Sequence, residues 1–170
     1  MQLQIDSREK PKELERIIPQ LEKLGVTWYK SKLYVGDYMN LDNPRLIIDR
    51  KKDLLEVCGN VCQQHERFRA ELIRAREAGI QLVILVEHGD EIKSIEDVWF
   101  WKNPRKHEVR WKYQNGQKVK YFVSPKATDG QQLYKSLCTI SDHYGAKFAF
   151  CNKQNTGQTI VDILSGKDVR

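Results

Sequence analysis

Residues 45–57 read RLIIDRKKDLLEV, and this stretch determines both the fold and the chemistry that we predict for the chain. Leu46–Ile48 is a run of large aliphatic residues, which is typical of a strand buried in a sheet. Five charged residues, Asp49–Asp53, follow it without a break. The sequence therefore predicts a core strand that ends by presenting a cluster of charges to solvent.

Side chains two apart on a strand point to the same face, so we expect Asp49 and Lys51 to project together and Arg50 to project oppositely. Gly36 and Asp37 lie at the predicted turn of the preceding hairpin, which would bring Asp37 beside Asp49. Two carboxylates and an ammonium group are thus expected to meet at one edge of the sheet.

Converging carboxylates repel each other unless a cation lies between them, and Asp oxygens with water are ligands that suit Mg²⁺ and Mn²⁺. Asp6 and Glu9, near the end of the predicted first strand, could reach the same edge. A lysine ammonium there could orient or help to deprotonate a water and offset charge that builds on a phosphate. The pattern is typical of metal-dependent phosphodiester cleavage. The alternative is that Asp49 pairs with a neighbouring basic residue at the surface and that Asp53 only caps a helix.

Helices alternate with apolar strands along the rest of the chain, which indicates an α/β layered domain. The helical pattern after the opening stretch extends to Gly79, with a break expected near Gly59 and Asn60. Residues 80–88, IQLVILVEH, form the most apolar strand and are predicted to be buried on both faces. Thr156 is the expected cap of the last helix.

A basic segment interrupts this alternation. Residues 99–126 contain eight Lys and Arg and one Glu. The other residues together carry a charge of about −1, so this segment accounts for the net charge of +6. One local patch of this kind indicates a polyanionic partner. Within it, residues 107–124 alternate as a β-hairpin around Asn115-Gly116. The aromatic run Trp99–Trp101 before the hairpin is a core plug, a dimer contact or a base-stacking surface.

The register of this hairpin can be argued from its side chains. A two-residue loop would mix apolar and basic residues on both faces, whereas a three-residue loop, Gln114–Gly116, pairs Trp111 with Val119 and separates them. We expect the second register, which collects four cations on one face: Arg110, Lys112, Lys118 and Lys120. These cations either contact nucleic acid or protect a solvated edge from aggregation.

Composition limits the class of protein. The chain has 170 residues, 40% of them hydrophobic and 31% charged, which is long enough for one domain covering residues 1–170. No apolar run approaches the roughly 18 residues of a membrane span, and the first residues carry no apolar signal core. We therefore expect a cytoplasmic protein. Its four cysteines are best interpreted as buried free thiols, with two disulfides or a zinc site as alternatives.

Several motifs together resemble a known family. The chain contains KLYVGDY followed by LIIDRKKDLLEV, with IDSRE before them and HERFRAELIRAREAGIQLVILVE after them. In this order they are similar to the nuclease domain of the XPF/Mus-type structure-specific endonucleases. That family's pattern is Gly-Asp, a spacer, Glu-Arg-Lys, three residues and Asp. Here Asp49 replaces the Glu, and Asp53 comes two residues early, so we do not expect it to replace the family's last Asp.

The resemblance covers residues 3–87 and implies a restriction-endonuclease-like fold of the PD-(D/E)xK superfamily. This is a three-layer α/β domain with a central mixed sheet flanked by helices, here with an inserted basic β-hairpin. The tandem helix-hairpin-helix domain that often follows in this family has no counterpart in the sequence. We therefore expect a stand-alone short form in which the hairpin grips DNA.

The resemblance also implies roles for single residues. Asp37 and Asp49 would bind Mg²⁺ or Mn²⁺, Lys51 would be the catalytic lysine, and Arg50 would contact a phosphate or stabilise the site. Asp6 and Glu9 would support the metal or the water. Contact with the DNA strand is implied for Arg67.

The expected function is a metal-dependent DNA endonuclease that hydrolyses branched or flapped DNA in repair or recombination. The alternative is a catalytically inactive DNA-binding or dimerisation module of the same fold, and a third interpretation is a nuclease that acts on RNA. Members of the family commonly pair through this domain, so a homodimer or a heterodimer with a paralogue is a further expectation.

Overall fold

A computed structural model describes residues 1–167 as a central sheet with helices on both faces and a separate hairpin. The strands are β1 (Gln2–Asp6), β2 (Thr27–Ser31), β3 (Tyr38–Asn40), β4 (Asn43–Lys51), β5 (Gln81–Glu87), β6 (Val109–Gln114), β7 (Gln117–Phe122) and β8 (Lys147–Cys151). Six of them form a mixed sheet in the order β2-β1-β3-β4-β5-β8. Strand β3 is antiparallel to β1 and β4, and the other neighbours are parallel.

Helices cover both faces of this sheet. They are α1 (Pro11–Lys23), α2 (Leu54–Cys62), α3 (His65–Glu77), α4 (Pro104–His107), α5 (Gly130–Tyr144) and α6 (Thr156–Leu164), with a 3-10 helix at Glu96–Phe100. Helices α2, α3 and α5 bury Val57, Phe68 and Leu137 in one core. Helices α1 and α6 bury Ile17 and Ile160 in the other. None of the helices within residues 1–167 is both long and apolar enough to cross a membrane.

Strand β5 contributes to both cores because alternate side chains point to opposite faces. Ile84 and Val86 lie in the core beneath α2, α3 and α5, and Val83 and Leu85 lie in the core beneath α1 and α6. The prediction that this strand is buried on both faces is confirmed. The layers are therefore helices, sheet and helices, as expected from the sequence.

The helical pattern after β4 breaks later than predicted. Helix α2 continues through Gly59 and Asn60. The side-chain amide of Asn60 donates a hydrogen bond to Glu56 O at 2.8 Å. The helix ends where the N–H groups of Gln63 and Gln64 both donate to Gly59 O. The predicted break is present, but it lies at Gln63-Gln64 rather than near Gly59-Asn60, because the amide of Asn60 bonds within the helix.

The two predicted helix caps have different outcomes. The Asp53 carboxylate accepts a hydrogen bond from Glu56 N at 2.7 Å, which confirms its role as the cap of α2. Thr156 is the first residue of α6 rather than its cap, and its hydroxyl donates to Glu87 Oε1 at 2.7 Å. The prediction for Thr156 is wrong because Asn155 occupies the N-cap position, and the Thr156 hydroxyl oxygen accepts from Arg16 Nη1 at 3.1 Å.

The hairpin formed by β6 and β7 has a different register from the predicted one. Trp111 lies opposite Lys120 and Lys112 opposite Val119, so the loop has two residues. The prediction of a three-residue loop that gathers the cations on one face is therefore wrong. The loop Asn115-Gly116 has φ values of 52° and 76°, which is the left-handed geometry of a type I′ turn. Such a turn matches the natural twist of the two strands.

Lysine–aromatic contacts are consistent with this register. Lys112 Nζ lies 5.4 Å from the centroid of the Tyr121 ring, and Lys118 Nζ lies 5.4 Å from that of Trp111. All twelve residues of the two strands are exposed, so separating apolar from basic side chains would bury nothing. Mixing them instead keeps cations from lying directly opposite each other.

The aromatic run before the hairpin divides between core and surface. Trp101 is buried, Trp99 packs edge-to-face against Tyr134 with ring centroids 5.5 Å apart, and Phe100 is 79% exposed. All four cysteines are free thiols, as predicted, although only Cys58 is buried.

Candidate active site

Asp37 and Asp49 lie on neighbouring antiparallel segments at one edge of the sheet. The pairing of β3 with β4 sets Tyr38 opposite Ile48, and Asp37 N donates to Ile48 O at 2.7 Å. Asp37 Oδ2 accepts a hydrogen bond from Arg50 N at 2.8 Å. Asp37 therefore lies beside Asp49, as predicted. The prediction that a hairpin places it there is wrong, because β2 and β3 lie on opposite sides of β1 and do not pair with each other.

Gly36 makes this close approach possible. Its φ is +64°, and a Cβ built on it would lie 2.6 Å from Ile47 Cγ2 and 2.8 Å from Ile48 O. Any larger residue would push the Asp37 backbone away from β4. Gly36 N also donates to Glu71 Oε1 at 3.1 Å, which ties the turn to α3. Sterics therefore require glycine at position 36, just as the chemistry expected at the site requires the carboxylate of Asp37.

Lys51 lies on the same face of β4 as Asp49, as predicted. Its Nζ donates to Asp49 Oδ1 at 2.7 Å and lies 5.5 Å from the centroid of the Phe68 ring. Burial alone would lower the pKa of this lysine, but the neighbouring Asp49 carboxylate outweighs it and raises the pKa above 10.5. Lys51 is therefore held as an ammonium ion.

The pKa values of both Asp carboxyls are raised above the ordinary value of 3.8. For Asp37 the cause is burial, followed by the negative charges of Asp49 and Glu9, and the pKa lies well above 3.8. For Asp49 the cause is again burial, which Lys51 opposes and Glu71 reinforces. Two carboxylates in such surroundings are stabilised by any cation that joins them.

The guanidinium of Arg50 belongs to a different cluster from Asp49 and Lys51. Its Nη2 lies 2.6 Å from Glu9 Oε1, and its Nη1 lies 3.1 Å from Glu87 Oε2. This agrees with the prediction that Arg50 projects oppositely to Asp49. Burial raises the pKa of Glu9 even though Arg50 opposes this. The negative charge of Glu9 also contributes to raising the pKa of Asp37.

Glu87 connects Arg50 to a second arginine. Its side chain is fully buried, and Oε1 accepts from Arg16 Nη2 at 2.6 Å as well as from Thr156. Arg16 also bonds Glu13, at 3.1 Å. The sequence predicted none of this network, because its members come from distant segments of α1, β5 and α6.

Asp6 is engaged in local structure. Its carboxylate accepts hydrogen bonds from the backbone and guanidinium of Arg8 and, at 2.7 Å, from Leu33 N. These bonds hold the pKa of Asp6 below 3.8 although burial opposes them. Both oxygens are thus occupied in fixing the loop that precedes Gly36.

A cleft of about 200 Å³ opens over the carboxylates, and twelve of its thirteen lining residues are charged. Six are acidic and six are basic, which suits a phosphate and a cation rather than an apolar ligand. It includes six of the residues proposed from the sequence: Glu9, Asp37, Asp49, Arg50, Lys51 and Arg67. Asp6 does not line it.

Helix α3 adds Arg67 and Glu71 to this cleft. They are four apart and so lie on the same side of the helix. Arg67 is exposed at the rim, where it can meet an anion. Glu71 was not predicted from the sequence, although its position one turn after Arg67 in HERFRAELI is a signal that would have identified it.

The cations of the hairpin lie outside the cleft, on both faces of the ribbon. In the register observed, Lys118 and Lys120 share one face, and Arg110 and Lys112 share the other. Arg110 pairs with Glu108, its Nη2 lying 2.8 Å from Oε1.

The donor set in the cleft fits a hard divalent cation. Asp49 Oδ2 is buried and lies 2.7 Å from Lys51 Nζ as an ion pair, but it accepts no well-aligned hydrogen bond within the part of the chain described, so a cation could share it. Across residues 1–167, no group of three or more His, Cys, Asp and Glu side chains is arranged to hold a metal by itself. Mg²⁺ usually keeps several waters and takes only one or two carboxylates from a protein, and Asp37 and Asp49 are the two Asp carboxylates that line this cleft.

The layered mixed sheet, with helices on both faces, defines the restriction-endonuclease-like class of fold. The structure matches that of XPF from Aeropyrum pernix, with a TM-score of 0.62 and 18% sequence identity. The structure of XPF from Aeropyrum pernix in complex with DNA gives the same values. Each match covers 96% of this chain, which spans 63% of the matched chain.

Residues 5–163 match the ERCC4 domain. The chain therefore belongs to the ERCC4 domain family, a family of structure-specific DNA nucleases, and the resemblance to XPF-type nuclease domains is confirmed. No match was found among curated proteins.

Proposed function

We propose that this protein is a divalent-metal-dependent endonuclease that cuts branched or flapped DNA during repair or recombination. The observation that supports it most is the meeting of three groups in one cleft. The carboxylates of Asp37 and Asp49 lie on adjoining strands, and Lys51 Nζ is 2.7 Å from Asp49. Family membership supports DNA as the substrate.

Asp37 and Asp49 would hold the metal, and Glu71, which lines the same cleft, would accept a hydrogen bond from one of the metal's waters. Mg²⁺ or Mn²⁺ bound there would supply a Lewis acid for the phosphate and lower the pKa of a bound water. Glu9 and Arg50 also line the cleft, where their ion pair would fix the wall, and the backbone N–H of Arg50 would orient Asp37. Asp6 would support the same loop through Leu33.

Lys51 would act through its positive charge, since Asp49 keeps it protonated. It would donate hydrogen bonds to the attacking water or to a phosphate oxygen, where negative charge grows. In the hydrolysis, the water oxygen bonds to phosphorus as the bond from phosphorus to one sugar oxygen breaks. The water proton ends on the released sugar hydroxyl.

Binding of the DNA backbone would use cations outside the metal centre. Arg67 at the rim of the cleft would contact the strand being cut. The basic hairpin would contact phosphates farther along the substrate, through Arg110, Lys112, Lys118 and Lys120.

The alternative function is a DNA-binding or dimerisation module that does not cut. Against it stands the intact set of Asp37, Asp49 and Lys51 in one polar cleft. A homodimer or a heterodimer with a paralogue belongs to the same proposal, and sedimentation of the purified chain tests it.

A cleavage panel tests the proposed function. End-labelled flap, fork, junction and linear duplex DNA, with a matched RNA flap, are incubated with Mg²⁺, with Mn²⁺ or with EDTA. We expect cutting of branched DNA in either metal and none in EDTA. Binding without cutting in both metals would establish the inactive module, and faster cutting of the RNA flap would contradict the choice of DNA.

A further inference from the structure

The hairpin carries aromatic side chains that are largely exposed to solvent. Strands β6 and β7 pair only with each other and form a sheet of their own. The exposed fractions are 58% for Trp111, 77% for Tyr113 and 54% for Phe122. A two-stranded ribbon without a core is only marginally stable in water, and clustered exposed aromatic residues mark a binding surface.

The aromatic residues and lysines alternate on one face of this ribbon. The register places Trp111, Tyr113 and Phe122 on the same face as Lys118 and Lys120. Proteins that bind single strands without sequence preference combine these two elements, with rings that stack on bases and cations that follow the phosphates.

The charge of the ribbon selects a polyanion as its occupant. Residues 109–122 contain four cations and no acidic residue. Arg110 is paired with Glu108, whereas Lys112, Lys118 and Lys120 make no ion pair within residues 1–167. A second copy of the same ribbon would bring like charges together, so it fits this face poorly.

An unpaired strand fits better than a duplex because of the aromatic rings. In a duplex the faces of the bases are stacked on each other and closed to side chains. A surface made only for duplex phosphates needs cations and has no use for exposed rings such as Trp111 and Tyr113. Unstacked bases offer the faces that these rings can cover.

The base of the hairpin adjoins the helix that follows the candidate active site. A cleft of about 480 Å³ lies between residues 123–128 and the C-terminal half of α2, including Cys58 and Cys62. Helix α2 begins three residues after Lys51 and has nine residues, which is about 13 Å at 1.5 Å per residue. The base of the hairpin therefore lies within about one helix length of the cleft that contains Asp37 and Asp49, and the ribbon extends from that base.

We propose that the face of the hairpin formed by Trp111, Tyr113, Phe122, Lys118 and Lys120 binds the single-stranded arm of a branched DNA substrate. The inference rests on the proposed nuclease function and names the part of the substrate that the hairpin recognises. Stacking on the rings selects unpaired bases, and the lysines bind the adjoining phosphates.

Binding in EDTA tests this without any cleavage. Fluorescence anisotropy would follow a labelled oligothymidylate of about 20 nucleotides, longer than the sites of most single-strand binders, and a duplex of the same length. We expect Trp111→Ala and Tyr113→Ala each to weaken single-strand binding about tenfold and duplex binding less than about twofold. Trp111→Phe should restore most of the affinity because it keeps a ring.

Two control variants sharpen the test. Phe100→Ala removes another highly exposed ring outside the hairpin and should leave both affinities unchanged. Lys120→Gln should weaken binding to both DNAs and make the salt dependence shallower by about one counterion. The hairpin residues are exposed, so melting curves of all these variants should match that of the unaltered chain.

Three outcomes would overturn the inference. Equal losses on single strand and duplex in Trp111→Ala and Tyr113→Ala would make the ribbon a duplex-groove binder. Unchanged binding in Trp111→Ala and Tyr113→Ala would exclude the rings from the contact. A change in oligomeric state alone would make this face a protein interface. Because binding is measured in EDTA, where no cutting is expected, failure of the nuclease proposal is separable from failure of this one.

Discussion

The carboxylates of Asp37 and Asp49 make the metal-free protein sensitive to pH. Burial raises both pKa values, and the negative charges of neighbouring carboxylates raise them further. A raised pKa contributes stability that is complete below the ordinary value of 3.8 and is lost as pH rises through the raised value. The metal-free fold is therefore expected to lose stability from these groups between acidic and neutral pH.

Asp37→Asn should remove this loss. Its amide oxygen can still accept from Arg50 N, but it carries no charge to repel Asp49. In EDTA at neutral pH we expect the variant to melt roughly 2–4 °C higher than the unaltered chain, with the gap closing towards pH 4. Thermal unfolding followed by circular dichroism across this range provides the measurement. A variant that melts lower at every pH would show that the repulsion is not significant.

Gly36 supplies the second prediction at this scale, because steric contact and backbone strain can be separated there. Gly36→Ala introduces both, whereas Gly25→Ala introduces only strain, since Gly25 has φ +70° and open space around its Cβ position. The strain costs about 1–2 kcal/mol in either variant. We expect Gly36→Ala to destabilise more than Gly25→Ala in denaturant melts, and to impair cutting. Equal effects would show that β3 tolerates the shift.

At the scale of elements, β4 serves two different purposes on its two faces. Asp49 and Lys51 face the cleft with Asp37, whereas Arg50 anchors the strand to Glu9 and Glu87. The buried ion pairs therefore hold the strand that carries the candidate site. They link β4 to α1 and β5 at the same edge of the sheet.

Glu87→Ala should be strongly destabilising because it leaves Arg50 without one partner and Arg16 without another. Removing one member of a buried ion pair typically costs about 3–5 kcal/mol. The matched control is Glu108→Ala, which breaks the exposed pair with Arg110 and should change stability little. Urea unfolding of both variants compares them. Similar small effects would mean that water reaches Glu87 and replaces its partners.

Some elements could be predicted from sequence because local rules govern them. The period of two on β4 placed Asp49 with Lys51. The expected turn at Gly36 placed Asp37 beside them, although the hairpin assumed for that turn does not form. The hairpin register could not be obtained by separating apolar from polar residues, because that rule presumes a core and Trp111 faces solvent. The network of Glu87 also escaped prediction, since its partners meet only in the folded sheet.

At the scale of the whole molecule, the hairpin is an addition to a complete domain. Glu108 O accepts a hydrogen bond from Val123 N at 2.9 Å, so the ends of the segment 109–122 already adjoin. Replacing this segment by two glycines should leave the melting temperature within a few degrees, because the main sheet loses no strand. The shortened chain should still cut in the presence of metal, but at higher DNA concentrations. Unfolding on excision would show that the hairpin supports the core.

The central claim is that Asp37, Asp49 and Lys51 together perform metal-dependent DNA cleavage. The most direct measurement is the single-turnover rate on a labelled DNA flap in Mn²⁺ for the unaltered chain, Lys51→Ala and Asp53→Ala. Lys51→Ala should lose at least about a hundredfold in rate, as expected for loss of a preorganised charge at the reacting group. Asp53→Ala, which removes only the cap of α2, should keep its rate at a temperature where both variants are folded. Cutting by Lys51→Ala at the rate of the unaltered chain would contradict the account.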